Sequence, residues 1–256
     1  MNILLVNDDG INAPGLSILY DAVCDLGNIT VVAPDGERSA ISHSITLDKP
    51  MPVKSYKNGK FEGMAVCGTP ADCVKLALTE IMDERPDLVI SGINLGCNTG
   101  LNVIYSGTVG GAAEAVFNGI PGIAVSLATY KNPNWGPVAR FIHDMVKTIQ
   151  EKGMPEGILL NVNVPNVINP NDIAGVKISE QGMAHWQETF DKRVDPKGRT
   201  YYWMSGMKKE RVESETIDDT VIKSNYISVT PIQFNLTAYN KIKSIKALGL
   251  NYQGKQ

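Results

Sequence analysis

Asn2-Ile-Leu-Leu-Val6, running straight into Asn7-Asp-Asp-Gly10, is the stretch on which the fold of this chain turns. An apolar run rich in branched side chains, stopped by turn residues, describes a buried strand that ends in a loop. Ligands of open parallel sheets bind just outside the carboxyl ends of the strands. Asp8 and Asp9 would stand there as adjacent anions, which repel unless a positive charge sits between them. A hard divalent cation, Mg²⁺ or Mn²⁺, suits that place because it prefers carboxylate, carbonyl and water oxygens. An ordinary Asp-Gly turn beside a solvated Asp would read the same way in isolation.

Outward from this strand the chain alternates strand and helix signals. Pro14-Gly15 opens a helical pattern with Leu16, Leu19, Val23 and Leu26 on one face, and Ile29-Thr-Val-Val-Ala33 is a second strand. Helical spacing returns over Ala71 to Met82, followed by the strand Leu88-Val-Ile90. A helix from about Val109 to Phe117, the strand Gly122-Ile-Ala-Val-Ser126, a helix over Val138 to Gln150 and the strand Ile158-Leu-Leu-Asn-Val162 complete the series. Strands alternating with helices imply a parallel sheet covered on both faces, an α/β fold.

The pattern changes near Val176. From Gln181 to Lys223 the chain is charged and spotted with Trp186, Tyr201, Tyr202 and Trp203, and Asp195-Pro-Lys-Gly198 is a turn between two stretches able to pair as a hairpin. Tyr226-Ile-Ser-Val-Thr230 reads as a returning strand and Tyr239 to Leu248 as a last helix. The expectation is a core over 1–176 and an arm, strand and helix over 177–256, the arm serving as a subunit contact or active-site cover.

Composition narrows the function classes. The chain has 256 residues, 43% of them hydrophobic and 20% charged, with a formal net charge of −3, so no basic surface for a nucleic-acid duplex or polybasic membrane anchor is expected. No apolar run approaches the roughly 20 residues that span a bilayer. The amino terminus enters a strand without signal-peptide features. Cys24, Cys67, Cys73 and Cys97 lack CxxC spacing and read as reduced thiols of a cytoplasmic protein.

Familiar phosphate loops can be excluded. Gly10-Ile-Asn-Ala-Pro-Gly15 has the glycine spacing of a Walker A loop, but Leu16-Ser17 stands where the lysine is required. No GxGxxG follows the first strand. Oxygen donors recur instead after other strands. Ser39 lies in Pro34-Asp-Gly-Glu-Arg-Ser39, where it offers a neutral ligand or a loop hydrogen bond. His43 is placed to act as a general acid, to orient phosphate, or simply to pack. Ser91-Gly-Ile-Asn94-Leu-Gly-Cys-Asn98-Thr-Gly100 supplies two asparagine amides in a glycine-rich loop. Tyr105-Ser-Gly-Thr108 precedes a helix whose amino terminus presents free N–H groups to an anion, with Thr108 as the expected N-cap.

These motifs together resemble the SurE (survival protein E) phosphatases: Asn7-Asp-Asp-Gly10 with Ala13-Pro-Gly15, Val32-Ala-Pro34 with Ser39, Gly68-Thr-Pro-Ala-Asp-Cys73, Ser91-Gly-Ile-Asn94 and Tyr105-Ser-Gly-Thr-Val109. They fall in the family's order over residues 1 to about 130. The resemblance implies a Rossmann-like core and a metal-dependent nucleotidase that hydrolyses nucleoside monophosphates. It also implies one divalent cation per subunit, Mg or Mn, on Asp8, Asp9, Ser39 and Asn94. Asn98, Ser106, Gly107 and Thr108 would face the phosphate, with Asp8, Asp9 and Asn98 as the catalytic groups. The carboxy-terminal part would exchange between subunits of a homo-dimer or tetramer. The chain departs from the pattern at Ala40-Ile41, where many members carry Gly. Two other classes compete: a receiver-type signalling domain, which also pairs acids after its first strand but needs an acceptor Asp where Ser91 stands, and a nucleotide-binding protein without turnover.

Overall fold

The computed structural model describes residues 1–209 and 214–251; residues 210–213 and 252–256, which fall in the expected arm and tail, lie outside the described residues. The first half runs β1 (Asn2–Val6), α1 (Pro14–Val23), β2 (Asn28–Pro34), β3 (Val53–Lys57), β4 (Glu62–Val66), α2 (Pro70–Leu76) and β5 (Leu88–Leu95). Then come α3 (Asn102–Tyr105), α4 (Gly107–Phe117), β6 (Gly122–Ala128), α5 (Trp135–Lys152) and β7 (Leu159–Pro165). The remainder is β8 (Gly175–Ile178), β9 (Trp186–Val194), β10 (Thr200–Lys208), α6 (Asp218–Lys223), β11 (Tyr226–Ile232) and α7 (Ile242–Lys246).

Among the described residues the main sheet has the order β3-β4-β2-β1-β5-β6-β7-β11-β8, and β9 and β10 form a separate ribbon. From β4 through β7 every neighbouring pair is parallel. Only β3 against β4 and β11 against β7 are antiparallel. The chain leaves β1 towards β2 and β4, then returns to lay β5, β6 and β7 on the other side. The β1/β5 boundary is therefore the topological switch point, where a crevice opens at the strands' carboxyl ends.

The pleat of β1 explains why its four apolar residues are all fully buried. Ile3 and Leu5 point to one face and pack with Leu16 and Leu19 of α1 and Val138, Ile142 and Val146 of α5. Leu4 and Val6 point to the other, against Val74 of α2, Ala77 and Ala115 of α4. Each such side chain contributes about 1.5–3 kcal/mol of burial. Gly15 lets α1 approach closely: a Cβ there would lie 2.0 Å from the Ile93 carbonyl oxygen of β5.

Several expectations are corrected. Ser91-Gly-Ile-Asn94 is not loop but part of β5, which crosses a register shift between Ser91 and Asn94 and continues beside β6. The helix expected over 71–82 is α2 followed by a π-helical turn, Ala77–Ile81. β3, β4 and β8 have no counterpart in the sequence reading because all three are short: β3 and β8 are the exposed edges of the sheet, and β4, inside β3, buries only its last two residues, so none carries an apolar run. The last helix is shorter than expected, a 3₁₀ turn at Tyr239–Lys241 leading into α7. The hairpin is present, and every residue of β9 is exposed. β8 crosses position 176, and β11 returns to the sheet between β7 and β8.

Candidate metal and phosphate site

Asp8 and Asp9 follow β1 directly at the switch point. Asn7 folds the turn beneath them by donating Nδ2–H to the Gly10 carbonyl (3.0 Å). Asp8 is 6% exposed. Its Oδ1 accepts the Thr108 hydroxyl at 2.7 Å. A Cβ on Gly107 would sit 2.9 Å from Asp8 Oδ2, so the first turn of α4 lies directly against this carboxylate. Burial, outweighing the Thr108 bond, pushes the Asp8 carboxyl above its ordinary value. Asp9 is pushed to about 7, first by burial, then by the charges of Asp8 and Glu37.

The helix start corrects the capping expectation. Ser106, not Thr108, is the N-cap, with its Oγ accepting the Val109 N–H at 3.1 Å. The first helical bond runs from Gly110 N–H to the Ser106 carbonyl (3.0 Å), so the amides of Gly107 and Thr108 precede any i−4 acceptor, and the Thr108 backbone bonds the Asp8 carboxylate beside its hydroxyl. A Ser cap also leaves the Thr108 hydroxyl for Asp8.

The Ser39 loop is tied to the acid pair through its backbone, since Arg38 N–H donates to the Asp8 carbonyl at 2.7 Å. The Ser39 hydroxyl donates to Glu37 Oε1 (2.6 Å). Ala40 has φ 55°, a left-handed conformation that glycine adopts without strain. Ser42 anchors the far side of the loop on α3 by donating to the Tyr105 and Ile104 carbonyls. Asn94 lies near the carboxyl end of β5, on the neighbouring strand, with its Nδ2–H donated to the Gly96 carbonyl at 2.8 Å. Asp8, Gly107 and Thr108 are thus in direct contact. Ser39 and Asn94 belong to the same sheet edge, with their side chains engaged locally.

Asn98 is buried, and its Nδ2–H donates to Ser126 Oγ at 2.9 Å. Its backbone is held by residues that the sequence reading did not single out. Asn98 N–H donates to Asn163 Oδ1 (2.8 Å), and its carbonyl accepts Asn161 Nδ2–H (2.7 Å). An Asn-Val-Asn alternation inside an otherwise apolar strand was the available signal. Glu37 was also missed as a third acid beside the pair.

His43 is engaged by its neighbours rather than free. Its Nε2 bonds Glu114 Oε2 at 2.8 Å and its ring stacks on Phe117. Lys75 donates to the other oxygen of Glu114, which is only 3% exposed. Burial alone would raise the Glu114 carboxyl; the bonds from His43 and Lys75 overcome it and hold the group below its ordinary 4.5. A depressed carboxylate contributes stability that is fully present above its unfolded value and is lost as pH falls through the folded one. Glu114→Gln is therefore expected to cost about 2 kcal/mol at neutral pH. It should also flatten the fall of melting temperature below about pH 4.5, followed by calorimetry across pH.

The donors suit a hard cation. They are all oxygen, and two adjacent acids are both pushed towards protonation by burial, a cost that a divalent ion between them would offset. Among the described residues no group of three or more His, Cys, Asp or Glu is placed to hold a metal ion.

The fold is a Rossmann-like α/β sheet in which a buried acid pair and the start of α4 meet at the carboxyl ends of the strands. The model of the family described as "Survival protein SurE" matches residues 3–188, and the chain belongs to the SurE family. It is 45% identical to the 5'-nucleotidase SurE of Syntrophobacter fumaroxidans, covering 96% of this chain and 98% of that protein. It is 43% identical to the 5'-nucleotidase SurE of Christiangramia forsetii, covering 97% of each. The crystal structure of the SurE protein from Aquifex aeolicus superimposes with a TM-score of 0.83 at 40% identity, covering 97% of this chain and all of that one.

Proposed function

We propose that the chain is a 5'-nucleotidase, a divalent-metal-dependent phosphomonoesterase that converts nucleoside monophosphates to nucleoside and orthophosphate. The observation that carries this reading is the contact between Asp8 and the start of α4, through the Thr108 hydroxyl and the bare Gly107. It sets a cation-seeking acid pair against an anion-seeking helix terminus.

Asp8, Asp9, Ser39 and Asn94 would hold one cation per subunit, Mg²⁺ or Mn²⁺. When bound, the cation polarises a phosphoryl oxygen and makes water more acidic. The chain's own residues do the rest. The amides of Gly107 and Thr108, capped by Ser106, receive the phosphoryl oxygens, and Asn98 donates from its side-chain amide to charge on the transferring group. Asp8, fixed by Thr108, orients the site, while Asp9 is the carboxylate left to accept a proton from water.

The name shared by the full-length relatives supports this reading. Against a receiver domain, Ser91 is fully buried inside β5 where an accessible acceptor carboxylate would be needed. A nucleotide-binding protein without turnover is separated by assaying phosphate release. Excess EDTA should reduce turnover of a nucleoside monophosphate at least about tenfold, and added Mg²⁺ or Mn²⁺ should restore it. Undiminished turnover in EDTA would falsify the metal role.

The tail is proposed as the assembly element of a cytoplasmic homo-dimer or tetramer. Residues 1–176 would form the catalytic core and 177–256 the exchanging part, with β8 and β11 still seated in the sheet. Phe190, Tyr202, Trp203 and Met204 stand exposed on the β9–β10 ribbon, an apolar load that a partner subunit would cover. Among the described residues no helix is long and apolar enough to cross a membrane.

A further inference from the structure

The loop carrying Asn98 is gripped from two sides. On the sheet side, the β7 asparagines hold its backbone: Asn163 Oδ1 accepts from Asn98 N–H, and Asn161 and Asn163 donate to the Asn98 carbonyl at 2.7 and 3.2 Å. On the other side stand residues from more than a hundred positions later. Thr99 is fully buried; its hydroxyl donates to Asp219 Oδ1 (2.6 Å) and accepts from Lys208 Nζ (2.7 Å). Lys208, the last residue of β10, is in turn ion-paired with Asp219. Asp218, also fully buried, accepts the Gly100 N–H on Oδ2 (2.8 Å) and the Gly182 N–H on Oδ1 (3.1 Å).

We propose that the Thr99 hydroxyl, clamped between Lys208 and Asp219, is a positioning group for Asn98, so that the base of the hairpin arm helps set the geometry of the phosphate site. The inference rests on Asn98 acting on the phosphate. Two buried hydroxyl bonds at the next residue fix the loop's backbone and, through it, the direction of the Asn98 amide. A misplacement of about 1 Å in such a group can cost about a hundredfold in rate. The grip on Thr99 comes from β10 and α6 rather than from the main sheet, which ties the base of the arm to the phosphate site.

The test is a double-mutant cycle on the full-length protein. Thr99→Val and Thr99→Ser are made alone and together with Asn98→Ala, and kcat and KM are measured for a nucleoside monophosphate with Mn²⁺. Thr99→Val should lower kcat about tenfold with KM changed less than about threefold, and Thr99→Ser should match the parent. In the Asn98→Ala background, Thr99→Val should add less than about twofold. Lys208→Met removes one grip from the partly exposed side without disturbing the buried loop, and should show the same pattern at about threefold. An equal loss from Thr99→Val in both backgrounds, no loss in the parent, or Thr99→Ser as damaged as Thr99→Val would overturn the clamp alone. Asn98→Ala with parental kcat would overturn the role of Asn98 and the clamp with it.

Discussion

Asp9→Asn is expected to lose about three orders of magnitude or more in kcat/KM for a nucleoside monophosphate, while the metal-free protein melts no lower than the parent. The two halves have one cause. Asp9 lies beside a buried Asp8 and near Glu37, and burial and these charges raise its carboxyl to about 7. Like charges held this near one another in a buried place weaken the fold unless a positive charge offsets them. The amide keeps the shape and removes the repulsion, so the fold gains or stays level as the ion loses a charged ligand. Such a trade of stability against function is expected where a charge constellation is kept for chemistry. Kinetics with Mn²⁺, calorimetric titration of Mn²⁺ and melting in chelator together check it. Activity within tenfold of the parent would remove Asp9 from the site. A melting temperature several degrees lower in chelator would make Asp9 a structural residue instead.

The central sheet was legible because strands buried on both faces read as continuous apolar runs, and Ile3 to Val6 satisfies both helix layers without a polar interruption. Legibility failed where polarity and strand coincide. Ser91-Gly-Ile-Asn94 carries loop chemistry yet stays in β5, because the register shift after Ser91 accommodates Gly92 without ending the ladder. The edge strand β3 failed for the opposite reason: it is exposed at nearly every position, so no alternation survives. The acid pair and the α4 start were legible as residue types at strand and helix ends. Their contact was not, since Ser106 and Thr108 can both cap by chemistry and only the Ser106 Oγ bond to the Val109 N–H, which leaves the Thr108 hydroxyl for Asp8, shows which is used. Asn161 and Asn163 escaped because their partner is the backbone of Asn98, 63 and 65 residues away. No local pattern reports such a pairing.

Gly107→Ala should then lower kcat/KM about a hundredfold with little change in stability. The added Cβ would lie 2.8 Å from Asp8 Cβ and 2.9 Å from Asp8 Oδ2, closer than real contacts allow. Asp8 cannot simply rotate away, because its Oδ1 is held by the Thr108 hydroxyl one residue further along the same helix. Either the first turn of α4 retreats, carrying the Gly107 and Thr108 amides with it, or the carboxylate swings and loses Thr108. Both outcomes separate the acid pair from the anion donors. Alanine is the better helix former by up to about 1 kcal/mol, which offsets part of the steric cost and keeps the variant folded. Gly136→Ala is the matched control: it also lies in the first turn of a helix, α5, where the nearest atom, Asn134 Oδ1, is 3.6 Å from the new Cβ. That control should retain parental activity, so a loss confined to Gly107→Ala isolates the contact with Asp8 from any general effect of alanine at a helix start. Parental kcat/KM in Gly107→Ala would mean that the acid pair and the α4 terminus do not act on one phosphate.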